Sequence, residues 1–293
     1  MTDSNPGTAS SAGPLGIICG AGSLPIAVAE AAQRQGRRVV LFALRGSADP
    51  QMVAAFPNHW GSLGQLGRHF RLFRSEGCRD IVFIGSVVRP RLGQIRFDLL
   101  TLRLLPRIIR MFRHGDDRLL TGVAEIFEEH GFRLLGAHEV APEILMPSGA
   151  LGQCRPSEGD RADIKRGLAL LQATGGFDVG QAVVVSDNRV LAIEAAEGTD
   201  QMLMRLAELR ISGRIQARQR VGVLVKAPKS GQDRRFDLPS IGPLTVEAVA
   251  RAGLAGIAVV AGSAIVAEPD RMATAADRAK IFVIGVSADG SEP

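Results

Sequence analysis

The first half of the chain alternates short apolar runs with amphipathic or alanine-rich stretches. Each run has the length of one buried strand, and each stretch between the runs has helical periodicity. This alternation predicts successive βαβ units, and therefore a parallel sheet with helices on both faces. The predicted strands are residues 15–19, 39–43, 81–84 and 132–136, and the predicted helices cover about 26–35, 66–75 and 119–129.

A segment rich in proline and glycine, residues 142–159, interrupts this pattern and predicts a linker between two domains. We expect an α/β protein with an N-terminal Rossmann-like parallel-sheet domain at residues 15–141 and a C-terminal mixed α/β domain at residues 160–288. Residues 1–14 lack the apolar centre of a signal peptide and are expected to form a disordered tail. The C-terminal pattern predicts a helix at 163–171, a hairpin pairing 182–185 with 190–193, and strands at 221–225, 257–260 and 281–284.

Composition narrows the classes of function. The 293 residues, 46% hydrophobic and 22% charged, suit two globular domains. The longest apolar run, residues 252–267, is shorter than the ~20 residues of a spanning helix and predicts buried strand, so a cytoplasmic protein is expected. Three separated cysteines support neither a disulfide framework nor a zinc site. An aromatic content of 4% with no tyrosine argues against a nucleic-acid partner.

The excess of positive charge lies in the first half, where residues 1–140 hold 17 arginines, no lysine and 12 acidic residues. Arg103, Arg107, Arg110 and Arg113 recur at helical spacing among apolar residues. They predict a basic amphipathic helix over about 99–113 that can lie on the anionic inner-membrane surface as a peripheral contact. An ordinary packed helix with a solvated cationic face explains the same pattern equally well.

A glycine loop at residues 20–25 stands between the first predicted strand and the first predicted helix. The backbone N–H groups of such a loop can bind a phosphate at the helix N-terminus. The dinucleotide fingerprint requires a third glycine at position 25 and an acidic residue at the end of the second strand. This sequence has Pro25 and Arg45 at those positions. A nucleotide diphosphate is therefore favoured over a nicotinamide cofactor, and a tight turn without a ligand is the alternative.

Charged residues of both signs cluster after two later predicted strands, in residues 194–200 and 226–245. Ligand sites of α/β sheets gather at strand ends. Lysines and arginines interleaved with acids suit a diphosphate bridged by Mg²⁺, which takes one or two carboxylates together with phosphate oxygens. The alternative is a solvated surface loop, although solubility does not require the glycines, prolines and glutamine dispersed among the charges.

Five motifs make the sequence recognisable: residues 17–25, 85–90, 178–181, 194–200 and 226–245. Together they resemble the UDP-2,3-diacylglucosamine pyrophosphatases of lipid A biosynthesis, of the kind that lacks the metallophosphoesterase fold. The resemblance spans about 15–286. It implies an N-terminal domain that binds UDP, a C-terminal domain that binds 2,3-diacylglucosamine 1-phosphate, and Mg²⁺-dependent hydrolysis to that phosphate and UMP. The family's essential aspartate matches Asp233, and Ser230 replaces a proline that is common there.

The resemblance and the residue chemistry together suggest roles for individual residues. Asp233 is expected to bind the metal or activate water, with phosphate oxygens held by Lys226, Lys229, Arg234 and Arg235. The candidate metal ligands are Asp233, Glu194, Glu197, Asp200 and Asp237, of which Asp237 can instead cap a turn and Glu194 can pair with an arginine. The candidate substrate-binding residues are Gly20, Ala21, Gly22, Ser23, Arg89, Gln181, Thr199, Gln232 and Thr245.

The expected partners are a UDP-linked acylated glucosamine and the inner-membrane surface, and a homodimer is left open. Two rival functions remain at this point. One is a nicotinamide-dependent oxidoreductase, and the other is a non-catalytic adaptor for a membrane or a nucleic acid. The adaptor hypothesis leaves the charged cluster around Asp233 unexplained.

Overall fold

The chain forms two compact units. The computed structural model describes residues 13–87, 96–112, 116–177, 179–215, 220–229, 233–236 and 238–291. The first unit comprises Met1–Pro142 and Asp233–Phe236, and the second comprises Glu143–Gln232 and Asp237–Pro293. A short segment from the C-terminal half of the sequence, Asp233–Phe236, therefore belongs to the first unit.

The first unit contains a five-stranded sheet in the order β3-β2-β1-β4-β5, and all of its neighbouring strands are parallel. The order reverses between β1 and β4, which is the switch point where open α/β sheets bind ligands. The strands are β1 Leu15–Cys19, β2 Val39–Leu44, β3 Asn58–Gly61, β4 Asp80–Ile84 and β5 Arg133–Leu135. The helices are α1 Leu24–Arg34, α2 Pro50–Val53, α3 Leu66–Ser75, α4 Leu99–Phe112, α5 Asp116–Glu129 and α6 Ala137–Val140.

The second unit contains a mixed six-stranded sheet in the order β6-β13-β11-β9-β7-β8 and a small parallel pair, β10 with β12. Strands β13, β11 and β9 are parallel, whereas β6, β7 and β8 run antiparallel to their neighbours. The strands are β6 Gly149–Leu151, β7 Ala182–Ser186, β8 Arg189–Ile193, β9 Val223–Lys226, β10 Ser240–Ile241, β11 Gly256–Val260, β12 Ile265–Val266 and β13 Phe282–Val286. The helices are α7 Glu158–Thr174, α8 Gly198–Ile211, α9 Pro243–Arg251 and α10 Pro269–Ala279.

These sheets confirm the predicted fold class, a parallel-sheet α/β unit and a mixed α/β unit. Strand β6 lies inside the segment predicted as linker, because Gly149–Leu151 pairs with β13 despite the surrounding prolines. The apolar run at 252–267 is two strands, β11 and β12, rather than one. The turn between them includes Gly262, whose φ of +67° suits glycine.

Strand directions bring three chain segments to one edge of the second sheet. Lys226 ends β9 and lies opposite Ala182, the first residue of β7. Ile193 ends β8 and lies opposite Val183. The residues that precede β7, follow β8 and end β9 therefore meet at this edge.

Candidate active site

The glycine loop after β1 pairs with the loop after β4 at the switch point of the first sheet. The Gly20 N–H donates to the Ile84 carbonyl at 2.9 Å. Ala21 and Ser86 exchange two backbone hydrogen bonds of 2.7 and 3.0 Å. Backbone hydrogen bonds therefore fix the predicted phosphate loop to the loop after β4, at the edge of the sheet where ligands bind in this fold.

Two glycines allow these loops to approach. A Cβ on Gly20 would lie 2.5 Å from the Gly85 carbonyl, and a Cβ on Gly85 would lie 2.7 Å from the Ala21 oxygen. Gly85 also has a φ of +97°. Gly22, at φ +96°, faces open space, and the chain then enters α1 after Ser23. The first turn of α1 carries no acidic residue, which leaves its N-terminus favourable to an anion.

Asp233 is held by the residue two positions after it. Its carboxylate accepts from the Arg235 backbone N–H at 3.0 Å and from the Arg235 Nη2 at 2.7 Å. The hydrogen bonds from the Arg235 side chain are the main cause that keeps the pKa of the Asp233 carboxyl below its usual range. Arg235 Nη1 donates in turn to Glu128 Oε1 at 2.8 Å. Asp233 is therefore an ionised carboxylate fixed to helix α5 through a guanidinium.

His138 lies beside this segment. The position of a Cβ on Gly136 would be 2.4 Å from His138 Cε1 and 3.3 Å from the Arg235 Cα. Within the described part of the chain, the buried His138 Nδ1 has no hydrogen-bond partner. Burial lowers the pKa of His138 and the charge of Arg234 lowers it further, although the charges of Glu139 and Asp233 oppose both. The imidazole is therefore neutral near pH 7.

Four predicted site residues meet at one cavity of the second unit. It has a volume of about 280 Å³ and lies at the edge where β7, β8 and β9 converge. Lys226 is buried, and its Nζ donates to the Ser240 carbonyl at 3.1 Å. The lining residues are Gly180, Gln181, Glu194, Ala195, Lys226, Lys229, Leu238, Pro239 and Ser240.

Glu194 organises the wall of this cavity. Its Oε2 accepts from the Gln181 backbone N–H at 2.7 Å, and its Oε1 accepts from the Thr199 hydroxyl at 2.8 Å. A Cβ on Gly180 would lie 2.4 Å from Glu194 Cγ, so only glycine fits beside it. Glu194 is thus bonded to two other predicted site residues, Gln181 and Thr199.

The remaining predicted residues lie elsewhere. Glu197 pairs with Arg205 at 2.9 Å, and Asp200 lies in the first turn of α8. The Thr245 hydroxyl accepts from the Gly242 N–H at 3.2 Å and caps α9. In the described ranges, no three histidine, cysteine, aspartate or glutamate side chains form a group that could hold a metal ion. The predictions for Arg89, Gln232 and Asp237 lie outside the described residues.

Several residues near the glycine loop and Asp233 were not predicted from the sequence. Gly85 had a detectable signal, because it follows a buried strand as Gly20 does. Glu128 and His138 had no detectable sequence signal, since tertiary contacts bring them to the segment that contains Asp233.

A further cavity of about 300 Å³ in the first unit was also not predicted. It is lined by Arg45, Pro50, Ala54, Asn58 and Trp60. The Arg45 guanidinium is 6.0 Å from the Trp60 ring centroid.

Known proteins match both units. The family model described as LpxI N-terminal domain matches residues 14–144, and the LpxI C-terminal domain matches residues 147–284. A Caulobacter vibrioides protein named UDP-2,3-diacylglucosamine pyrophosphatase LpxI is 42% identical over 272 residues, which cover 93% of this chain and 97% of that protein. The NAD complex of Thermus thermophilus UDP-glucose 4-epimerase aligns at 12% identity and a TM-score of 0.30 over 95% of this chain and 88% of that one, a similarity too low to inform fold or chemistry.

Proposed function

This chain belongs to the LpxI family, and on that premise we propose that it hydrolyses UDP-2,3-diacylglucosamine to 2,3-diacylglucosamine 1-phosphate and UMP in lipid A biosynthesis. The observation that carries the proposal is the 42% identity to a pyrophosphatase of that name over 93% of the chain. The identity covers both units, and each unit has a site suited to one part of a sugar nucleotide. The same family membership disfavours the nicotinamide-dependent and adaptor alternatives.

The nucleotide phosphates are assigned to the loops that follow β1 and β4. These loops lie at the carboxyl ends of parallel strands at a switch point. The N-terminus of α1 adds a partial positive charge, and the open space at Gly22 permits close approach of a phosphate. We therefore propose that the uridine end of the substrate binds to the first unit.

The sugar phosphate is assigned to the cavity at the edge of the second sheet. Lys226 and Lys229 supply two ammonium groups there, and Gln181 and Ser240 supply polar lining. The two cations compensate the charge of a phosphate, and the carboxylate of Glu194 keeps the wall in place through Gln181 and Thr199. Its volume of about 280 Å³ suits a sugar phosphate, so most of the acyl chains must lie outside it.

Asp233 is assigned an electrostatic role rather than that of a general base. A general base works best with a pKa near the working pH, and the hydrogen bonds from Arg235 hold the pKa of Asp233 below its usual range. A lowered pKa suits a metal ligand or a group that orients the attacking water. Arg234 and Arg235 are proposed to hold phosphate oxygens and to stabilise the charge that develops at phosphorus.

Mg²⁺ is part of the proposal. Mg²⁺ commonly takes only one or two carboxylates and completes its shell with phosphate oxygens and water, so it does not require a group of three protein ligands. Asp233 is the residue proposed to hold it. When bound, the ion would supply Lewis-acid stabilisation of the phosphoryl oxygens.

A turnover assay tests the reaction and the metal requirement together. Purified protein is incubated with UDP-2,3-diacylglucosamine in detergent, with Mg²⁺ or with EDTA, and UMP is quantified by chromatography. We expect UMP with Mg²⁺ and little with EDTA. Lys229→Met should lose activity, whereas Lys280→Met, which removes the same charge at the end of α10, should not. Equal turnover with EDTA would refute the metal requirement alone, and no UMP in either buffer would refute the reaction.

The membrane surface is proposed as a peripheral partner through helix α4. No described helix is both long enough and apolar enough to cross a bilayer. The outward stripe of α4 holds Leu99, Leu102 and Ile109, which are 65%, 49% and 48% exposed, together with the exposed Arg103 and Arg110. Apolar side chains flanked by arginines are what an anionic interface binds.

One arginine of the predicted set has another role in the structure. Arg107 pairs with Glu125 at 3.0 Å and with Glu129 at 2.7 Å, and so ties α4 to α5. Arg113 lies outside the described residues. The membrane proposal therefore rests on the outward stripe and not on the full arginine series.

Vesicle binding tests this surface. The double variant Arg103→Gln, Arg110→Gln should bind phosphatidylglycerol vesicles about 30-fold more weakly, since each arginine contributes ~1 kcal/mol near an anionic surface. The matched control Arg251→Gln, Arg271→Gln removes the same charge from exposed positions of the second unit. Equal loss in both variants would indicate non-specific attraction, and unchanged binding of the first would remove α4 from the interface.

A further inference from the structure

We propose that Glu128 is a positioning residue for the diphosphate hydrolysis, acting through Arg235 on the carboxylate of Asp233. The inference rests on the proposed function, because it takes Asp233 as the residue that acts on the reacting phosphate. Glu128 lies on α5 of the first unit, and no chemical role for it follows from the sequence motifs.

The contacts form an unbroken chain. Arg235 Nη2 and Nε donate to the Asp233 carboxylate at 2.7 and 3.1 Å, and Nη1 donates to Glu128 Oε1 at 2.8 Å. A guanidinium is planar and rigid, so a partner on each side fixes its orientation. The hydrogen bond from the Arg235 backbone N–H fixes the orientation of the Asp233 carboxylate relative to its own turn. The hydrogen bond to Glu128 fixes the position of that turn relative to helix α5.

An aromatic contact restrains the same segment. The Arg235 guanidinium lies 5.2 Å from the Phe236 ring centroid, and the Phe236 ring lies 5.7 Å from that of Phe83 on β4. The aromatic contact anchors the segment, but it is not directional with respect to the carboxylate. Among the described residues, Glu128 is the partner on α5 whose hydrogen bond restrains the rotation of the guanidinium.

The neighbouring acidic residues of α5 form ion pairs with a different arginine. Glu125 and Glu129 are four residues apart, so they share one face of the helix, and both pair with Arg107 of α4. Glu128 is the neighbour of Glu125 three residues along the same side of the helix, but it pairs with Arg235 instead. The helix thus offers a matched control, because Glu125 and Glu128 have the same charge, lie in the same helix and are 56% and 47% exposed.

This arrangement predicts a particular kinetic signature. An ion pair as exposed as that of Glu128 contributes little to folding stability. A small displacement of a catalytic group nevertheless has a large effect on rate. Loss of Glu128 should therefore lower kcat while it leaves KM and the melting temperature nearly unchanged.

The experiment compares Glu128→Ala, Glu128→Gln and Glu125→Ala with the parent, using UMP release with Mg²⁺ and thermal unfolding. We expect Glu128→Ala to lower kcat about tenfold with KM unchanged, as for a misplaced catalytic group. Glu128→Gln should restore most of the rate, because its amide oxygen still accepts from Arg235. Glu125→Ala should match the parent in kcat.

A double-mutant cycle shows whether the effect passes through Arg235. Adding Glu128→Ala to Arg235→Gln should cause no further loss of kcat, because the contact is already broken. An additive loss, or a kcat of Glu128→Ala within about twofold of an active parent, would overturn the inference while the proposed function stands. A parent that releases no UMP would instead remove the proposed function, and the inference with it.

Discussion

Replacing Asp233 by alanine should have a small effect on the stability of the protein and a large effect on its kcat. The substitution removes a carboxylate that pairs with Arg235 and leaves Arg235 bonded to Glu128. The Asp233 and Arg235 side chains are 28% and 31% exposed, so solvent screens the pair. We therefore expect a stability loss of about 1 kcal/mol or less. For a unit of this size, that corresponds to a fall of roughly 2–4 °C in melting temperature.

The rate effect should be far larger. A carboxylate that holds the metal or orients the attacking water acts mainly on charge that develops in the transition state. A loss of roughly a thousandfold in kcat corresponds to about 4 kcal/mol of transition-state stabilisation. Most of the affinity should come from the uridine and acyl groups, so KM should change little. The variant should fold, bind substrate and be nearly inactive.

The assay measures kcat and KM for UMP release beside thermal unfolding. Asp270→Ala is the matched control, because it removes an exposed aspartate from the first turn of α10, away from both sites. A kcat of Asp233→Ala within about tenfold of the parent would contradict the catalytic assignment. A melting temperature lowered as far as in a core mutant would show that Asp233 is structural.

Two further substitutions test the sites and the fold. Gly20→Ala places a Cβ 2.5 Å from backbone atoms of the facing loop, so we expect ~1–3 kcal/mol of destabilisation and a raised KM. The control Gly176→Ala, whose Cβ meets no atom within 4 Å, should leave KM unchanged. Burial raises the pKa of Asp80, but hydrogen bonds from Arg133 and Arg37 outweigh it and leave the pKa lowered, so its stabilisation is present at neutral pH and lost as the pH falls. Asp80→Asn should therefore lower the free energy of unfolding in urea at pH 7 by about 2 kcal/mol, which is less than for a fully buried pair because Arg133 is 69% exposed. The difference in stability between the variant and the parent should shrink below pH 3.8. A difference that does not change with pH would refute the ion-pair explanation.

Much of the fold could be predicted because local pattern and tertiary structure agree. Strand β1 was predicted at the residues where it is found, since a buried parallel strand is a continuous apolar run. Strand β3 was missed because Asn58–Gly61 has no such run and owes its conformation to pairing with β2. The residues of β6 were predicted to be part of a linker, because they form no apolar run and owe their extended conformation to pairing with β13.

The candidate site could be predicted in part. Gln181, Glu194 and Lys226 were predicted as site residues because they lie at the ends of strands. They line one cavity because β7, β8 and β9 meet at one edge of the sheet. Sequence order could not show that Asp233 belongs to the first unit or that Glu128 anchors its partner arginine. These contacts join residues 107 positions apart, and no local periodicity records them.

Identifying the phosphorus-containing products is the critical experiment for the proposed hydrolysis. Phosphorus NMR of UDP-2,3-diacylglucosamine incubated with the purified chain and Mg²⁺ distinguishes the two bonds that hydrolysis can break. We expect loss of the diphosphate signals and equal growth of the signals of two phosphomonoesters, UMP and 2,3-diacylglucosamine 1-phosphate. Release of UDP would show cleavage at the sugar instead, and an unchanged spectrum would show no hydrolysis; either result would contradict the proposed function.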